Sequence, residues 1–269
     1  MTLWVAGLIA VFIWWFATGA ILLLVKFADR KGGRASFWVT FAGLPLLGAG
    51  AYGAQLSAMD ATAWGVYTAF FSALAIWAWI ELAFLTGVIT GPVAVPLPNG
   101  LSGSARFSMA LGTIAFHEIL LVIALIALGL GFAVASNPFA FWTFAVLFFA
   151  RVSAKLNLFL GVARIHTEFL PEALSHLPTY FRRAQMNWLF PISVSALTFA
   201  AACWLERLYT AQTQADQIGY ALLAALTALA TLEHWVMVLP IPDERLWRWM
   251  LPAPQPQKNQ KTQGGHNGL

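Results

Sequence analysis

Long apolar runs alternate with short polar stretches along the chain, and this pattern predicts membrane-spanning helices. About 20 apolar residues are needed for one helix to cross the hydrocarbon core of a bilayer. Seven runs approach that length. The predicted spans are Leu3 to Val25, Phe37 to Leu56, Ala63 to Ile89, Phe107 to Leu130, Phe139 to Gly161, Met186 to Trp204 and Ile218 to Leu239. We therefore expect an all-α membrane protein, a bundle of about seven transmembrane helices.

The composition supports this class. Hydrophobic residues make up 60% of the chain and charged residues 10%, and the mean hydropathy is +0.73, which excludes a soluble globule with a polar surface. The net charge is +4, but the basic residues are spread over several loops. Membrane lipid is therefore an expected partner and nucleic acid is not. The single cysteine, Cys203, excludes a disulfide within the chain.

The distribution of Lys and Arg predicts the orientation, because cytoplasmic loops carry the positive excess. The loops on one side of the predicted bundle contain Lys26, Arg30, Lys31, Arg34, Arg106, Arg164, Arg182, Arg183, Arg245, Arg248, Lys258 and Lys261. The other side contains only Arg207. We expect the amino terminus outside and the carboxyl terminus in the cytoplasm. Residues 1–250 form the predicted transmembrane domain, and residues 251–269, rich in Pro, Gln, Lys and Gly, form a predicted disordered cytoplasmic tail.

Several polar residues lie inside the predicted spans, mostly toward their cytoplasmic ends. They are Glu81, His117, Glu118, Arg151, Lys155, Asn157, Glu233 and His234. A lone charge at the centre of a membrane helix costs roughly 2.5 to 3.5 kcal/mol on the insertion scale. We therefore expect one shared polar site that opens toward the cytoplasm beneath the segment from Arg164 to Arg183.

Three interpretations of this polar site remain open. In a structural site, the glutamates neutralise Arg151 and Lys155, and the histidines form hydrogen bonds between helices. In a metal site, carboxylates and imidazoles bind iron or manganese; the candidate ligands are Glu81, His117, Glu118, Glu233 and His234. In a pigment site, His117 or His234 is the axial ligand of a chlorin or haem.

A cytoplasmic amphipathic segment is predicted between spans five and six. Glu168, Glu172 and His176 are spaced four residues apart, which places them on one face of a helix. Pro171 is acceptable in the first turn of a helix that begins near Leu170. Such a helix would lie in the membrane interface, either with a plain solvated acidic face or with a face that binds a ligand or partner.

Six blocks of sequence, in order, resemble one known family. They are WAWIELAFLTGVITGP (Trp77 to Pro92), FHEILL (Phe116 to Leu121), KLNLFLGV (Lys155 to Val162), TEFLPEALSHLPTYFRR (Thr167 to Arg183), NWLFPISVSA (Asn187 to Ala196) and LEHWVMVLPIPDERLWRW (Leu232 to Trp249). On these blocks the chain resembles the PuhE family, photosynthetic complex assembly proteins encoded with the reaction-centre genes of purple phototrophic bacteria.

The resemblance implies a multi-pass protein of the bacterial inner membrane, cytoplasmic or intracytoplasmic, with its amino terminus in the periplasm. Its implied role is to help assemble the reaction centre or core antenna, or to modulate bacteriochlorophyll supply through contact with that pigment or a precursor. Photosynthetic reaction-centre or core-antenna subunits are the implied partners, and no catalytic residues follow from the resemblance. The alternative is an intramembrane metal-dependent enzyme that acts on a tetrapyrrole, quinone or carotenoid. A transporter is disfavoured because the sequence shows no internal repeat.

Overall fold

The computed structural model describes residues 3–165, 167 and 170–240. In these residues the regular structure consists of eight α-helices and two short 3₁₀ helices. The α-helices are α1 (Leu3–Lys31), α2 (Ala35–Ala42), α3 (Leu44–Ser57), α4 (Ala63–Leu85), α5 (Gly103–Phe132), α6 (Phe139–Leu160), α7 (Leu189–Thr210) and α8 (Gln214–Val236). The predicted tail, residues 251–269, lies outside the described residues.

Among the described residues, seven helical segments are long and apolar enough to cross a membrane when α2 and α3 are taken together. The prediction of an all-helical bundle with seven spans is therefore confirmed. Large apolar side chains of α1, α5 and α7 point away from the bundle, among them Phe12, Ile123 and Phe199. In water this surface would be costly, whereas in a bilayer it faces lipid. The chain is a multi-pass membrane protein.

The second span differs from the single helix that the apolar pattern predicts, because it breaks at Gly43. Pro45 has no backbone N–H to pair with a carbonyl one turn earlier. The indole Nε1 of Trp79 on α4 donates to the Thr40 carbonyl over 3.0 Å. A Cβ at Gly43 would come within 2.9 Å of the Trp79 ring, so glycine permits the close approach of α4 to the break.

The centre of the bundle is formed by α4 and α8, the two most deeply buried spans. Helix α4 contacts α1, α3, α5, α6 and α8, while α8 also packs against α1, α6 and α7. The fully buried side chains of Phe70, Phe139 and Leu222 lie in their shared core. A Cβ at Gly219 would overlap the Phe139 ring, so this glycine allows α6 and α8 to meet closely.

The two ends of the bundle differ in the length of their connections. At the short-loop end, residues 58–62, 133–138 and 211–213 join the helices, and Asn137 Nδ2 donates to the Asp60 carbonyl over 3.0 Å. At the long-loop end, the connections are residues 86–102 and the described residues between 161 and 188. These long connections cover the ends of the helices that carry the intramembrane charges.

The segment between α6 and α7 is not the single amphipathic helix that the sequence predicts. It contains two 3₁₀ helices, Glu172–Leu174 and Leu177–Tyr180. Pro178 prevents a continuous α-helix because it lacks the N–H that would bond to Leu174 and its ring clashes with the preceding turn. Residues 182–184 lie parallel to the chain at Val162, whose N–H donates to the Arg182 carbonyl over 3.1 Å.

Candidate functional site

Three neighbouring helices bring five charged or titratable side chains together near the long-loop end. Glu81 lies on α4, His117 and Glu118 lie on α5, and Arg151 and Lys155 lie on α6. The two basic residues are four positions apart, so they lie on the same face of α6. We call these five residues the ionic cluster.

Two ion pairs join α6 to its neighbours within the cluster. The Arg151 Nη2 atom lies 2.7 Å from Glu81 Oε2, and the Lys155 ammonium donates to Glu118 Oε1. The Glu81 side chain is 8% exposed, whereas that of Arg151 is 36% exposed. Each basic residue inside the bundle is thus neutralised by a carboxylate on another helix.

His117 is fully buried at the centre of the cluster without a hydrogen bond to either ring nitrogen from the described residues. Its Nε2 lies 3.7 Å from Glu81 Oε1 and 4.0 Å from Glu118 Oε1, both beyond hydrogen-bond distance. The ring packs on Phe84 with centroids 4.3 Å apart. Its backbone N–H donates to the Thr90 carbonyl over 3.0 Å, so the loop after α4 positions this part of α5.

A cavity of about 370 Å³ lies between the cluster and the long connections. We call it the loop-side cavity. Glu118, Arg151 and Lys155 form part of its inner wall, and Leu170, Leu177 and Phe181 cover it. The rest of the lining is largely apolar and comes mainly from α5 and α6. The segment that the sequence places over the polar site therefore covers this cavity.

A second cavity of about 350 Å³ lies among α1, α4, α6 and α8. We call it the α1-side cavity. Its charged lining comes from Glu81, Arg151 and Glu233, and Trp14 and Trp77 contribute aromatic surface. Arg151 lines both cavities, so the Arg151–Glu81 pair lies where they approach each other.

Glu233 and His234 are neighbours on α8, but they have different surroundings. The exposed Glu233 lines the α1-side cavity. The buried His234 uses both ring nitrogens: Nδ1 is 2.8 Å from the Ala230 carbonyl and Nε2 is 2.9 Å from Ser153 Oγ. Because adjacent helical residues point about 100° apart, only Glu233 faces the charges of the ionic cluster.

Asn157 belongs with His234 to a separate polar network at the junction of α6 and α7. Its Nδ2 donates to Ser193 Oγ over 2.9 Å and to the Ser153 carbonyl over 3.0 Å. Asn187 Nδ2 donates to Asn157 Oδ1 over 3.0 Å, while Asn187 Oδ1 accepts the N–H of Leu189 at the start of α7. Seven of the eight intramembrane residues therefore belong to two networks, because their directions around each helix differ as well as their depths. Glu233 lines the α1-side cavity beside the ionic cluster.

Glu172 and His176 of the connecting segment differ in exposure instead of sharing one face of a helix. Glu172 is exposed, whereas His176 is buried, and Glu168 lies outside the described residues. Burial lowers the pKa of His176 below its ordinary value of 6.5. No described residue forms a hydrogen bond with its Nε2, so protonation would place an unpaired charge beneath the loop.

Arg106 joins the long connections to the helices, a role that its sequence position does not reveal. Its Nη2 donates to the Phe159 carbonyl over 3.0 Å and to the Tyr180 carbonyl over 2.6 Å. Its guanidinium also lies over the Phe159 ring, 4.0 Å from the centroid. In the sequence analysis, Arg106 is only one of the basic loop residues that predict the orientation. Its position beside a span end, with aromatic residues nearby, is the signal that could have identified it as a candidate for such stacking.

The positions of the side chains also bear on the candidate metal and pigment ligands. Within residues 3–165, 167 and 170–240, no group of three or more His, Cys, Asp or Glu side chains is arranged to hold a metal ion. Neither His117 nor His234 lines the loop-side or the α1-side cavity. The metal site and the axial-ligand site stay predictions.

Comparisons with known proteins place the chain in a family. The family described as "Protein of unknown function (DUF3623)" matches residues 1–258. The chain is 52% identical over 250 residues to a protein of Rhodobacter capsulatus described as "Uncharacterized 30.4 kDa protein in puhA 5'region". The match covers 93% of this chain and 91% of that protein. No solved structure matches the chain.

Proposed function

Since the chain belongs to the DUF3623 family, we propose that it is an integral-membrane assembly factor for the photosynthetic reaction centre or its core antenna. The observation that carries the proposal is the 52% identity, over nearly the whole chain, with a protein from the puhA 5' region. That position points to a photosynthesis gene cluster and connects the chain to photosynthesis. The long-loop end of the bundle is the candidate binding surface for this assembly role.

The ionic cluster supports a binding role for this end of the bundle. Arg151 and Lys155 are each paired with a carboxylate, so their charges stabilise the contacts among α4, α5 and α6. Three of these charged residues, Glu118, Arg151 and Lys155, also form part of one wall of the loop-side cavity, whose other surfaces are mainly apolar. Such a cavity can receive an apolar group of a photosynthetic subunit, or of the bacteriochlorophyll or precursor supplied to it.

The long-loop end faces the cytoplasm in this proposal, and the protein lies in the bacterial inner membrane. Eight basic residues that lie outside the ionic cluster occur at this end of the described structure. They are Lys26, Arg30, Lys31, Arg34, Arg106, Arg164, Arg182 and Arg183. Arg207 lies near the opposite end, and this asymmetry is typical of a cytoplasmic long-loop end.

Deletion of the gene in a phototrophic host tests the assembly role. We expect less assembled reaction centre and core antenna, measured by near-infrared absorbance of isolated membranes, while the pigment pathway still runs to its end product. Pigment extracts analysed by chromatography supply the second measurement. Accumulation of one tetrapyrrole, quinone or carotenoid intermediate would contradict the assembly role and favour the metal-dependent enzyme.

A pair of variants on α5 connects the role to the loop-side cavity. Ile114 lines that cavity, whereas Ile119 on the same helix is exposed on the outer surface. Complementation with Ile114→Trp, which fills the cavity, should leave less assembled complex than complementation with Ile119→Trp at equal protein levels. Equal assembly in the two strains would show that this cavity does not take part.

A further inference from the structure

The α1-side cavity contains more acidic groups than basic ones. Glu81 and Glu233 contribute two carboxylates to its lining, and Arg151 contributes one guanidinium. If both carboxylates are ionised, the three groups together carry one negative charge. A charge without a counter-ion is costly at membrane depth, roughly 2.5 to 3.5 kcal/mol on the insertion scale, so the excess charge calls for a partner.

The same three residues also leave hydrogen-bond acceptors without donors. Arg151 donates to Glu81 Oε2, whereas Glu81 Oε1 has no hydrogen-bond partner among the described residues and is buried 3.7 Å from His117 Nε2. Within the described part of the chain, Glu233 takes part in no hydrogen bond or ion pair within bonding distance. An occupant that brings a donor and a positive charge would therefore complement the Glu233 carboxylate.

The remaining lining matches an apolar body. Ile21 and Leu22 of α1, with Leu226 of α8, provide aliphatic surface, while Trp14 and Trp77 provide aromatic surface. Indole faces also attract cations that approach them. A volume of about 350 Å³ lies in the lower part of the usual range for small-molecule sites, about 300 to 1,000 Å³.

From the charge, the donors and the lining together, we infer that the α1-side cavity binds a lipid-soluble primary amine. An ammonium group has three N–H donors and no acceptor. It can donate to the carboxylate of Glu233, which is exposed in the cavity lining, and its charge brings the sum over the three side chains to zero. The alkyl part lies against the aliphatic and indole surface. This binding role is independent of the assembly role.

Equilibrium binding of matched alkyl probes tests this inference. The full-length protein is placed in nanodiscs of phosphatidylcholine, and binding of dodecylamine, dodecanol and dodecanoic acid is measured against empty nanodiscs, which corrects for partition into lipid. Dodecylamine should bind with one-to-one stoichiometry and at least tenfold tighter than either of the other probes. Equal affinity for dodecanol would overturn the inference, because Glu233 would then hold a proton instead of facing a cation.

Matched variants locate the binding site. Glu233→Gln should weaken dodecylamine binding at least tenfold, whereas Glu206→Gln, the same change at an exposed position of α7, should leave it unaltered. Ala78 lines the cavity, so Ala78→Phe should reduce dodecylamine binding without changing a charge. The Ala78→Phe variant still tests the binding site if Glu233→Gln does not fold. Unchanged dodecylamine binding in either folded cavity variant would overturn the inference.

Discussion

Arg151 takes part in the lining of both cavities and in the contact between two helices. It lines both cavities and pairs with Glu81 across the interface of α6 and α4. Removal of one partner from a buried pair leaves the other charge without compensation, which costs far more than replacement of both. The pair therefore makes the packing of α6 on α4 sensitive to single substitutions.

Arg151→Met should destabilise the protein by about 1 to 3 kcal/mol, because the buried Glu81 carboxylate loses its donor. The cost is smaller than for a fully buried pair, since the Arg151 side chain is half-exposed. The double variant Glu81→Gln, Arg151→Met should be more stable than Arg151→Met alone. Thermal unfolding in detergent measures both, and Arg207→Met at the exposed end of α7 serves as the control, with a change within about 0.5 kcal/mol. A double variant less stable than the single one would show that the pair does not act as a unit.

His176 predicts a pH dependence of the loop that covers the loop-side cavity. Its pKa is lowered by burial, so the unfolded chain binds a proton more readily than the folded one. The contribution of His176 is thus fully present above the ordinary histidine pKa, about 6.5, and is lost as the pH falls below that value. Thermal unfolding between about pH 8 and pH 5.5 should show a steeper loss for the natural protein than for His176→Gln. Parallel pH profiles would contradict this role.

At the scale of elements, the connection from α4 to α5 is integrated into the bundle instead of crossing its surface. The Val93 N–H donates to the Gly112 carbonyl over 3.2 Å, and the Thr90 carbonyl accepts the N–H of His117 over 3.0 Å. A Cβ at Gly91 would overlap the Gly112 carbonyl oxygen. Glycine at position 91 is what lets this segment lie against the backbone of α5.

Gly91→Ala should therefore destabilise the protein by about 1 to 3 kcal/mol, the usual cost of overpacking. It should also move the α5 turn that carries His117. Gly48→Ala is the matched control, because position 48 lies within α3 and a Cβ there meets nothing within 4 Å. That control should be neutral or stabilised by up to about 1 kcal/mol. Equal stability of the two variants, measured by thermal unfolding, would contradict the close contact.

At the scale of the whole molecule, charge asymmetry between the two ends predicts one orientation in the membrane. In a Cys203→Ala background, Gln212→Cys places a thiol at the short-loop end and Asn99→Cys places one at the long-loop end. Both positions are exposed. A membrane-impermeant maleimide added to intact spheroplasts should label only position 212, since the basic end faces the cytoplasm. Labelling of position 99 alone would show that the protein has the opposite orientation.

The sequence alone determined the class, the number of spans and most of their positions, because the bilayer selects for a local property, the apolar character of about 20 consecutive residues. It also identified charges that need partners. The pairing of Arg151 with Glu81 and the separation of His234 from Glu233 were decided only by the tertiary structure. They depend on how each helix is rotated and which helix lies beside it, and packing between distant segments sets both. The wrong prediction of one helix between α6 and α7 has a local cause, since Pro178 was present in the sequence and prevents it.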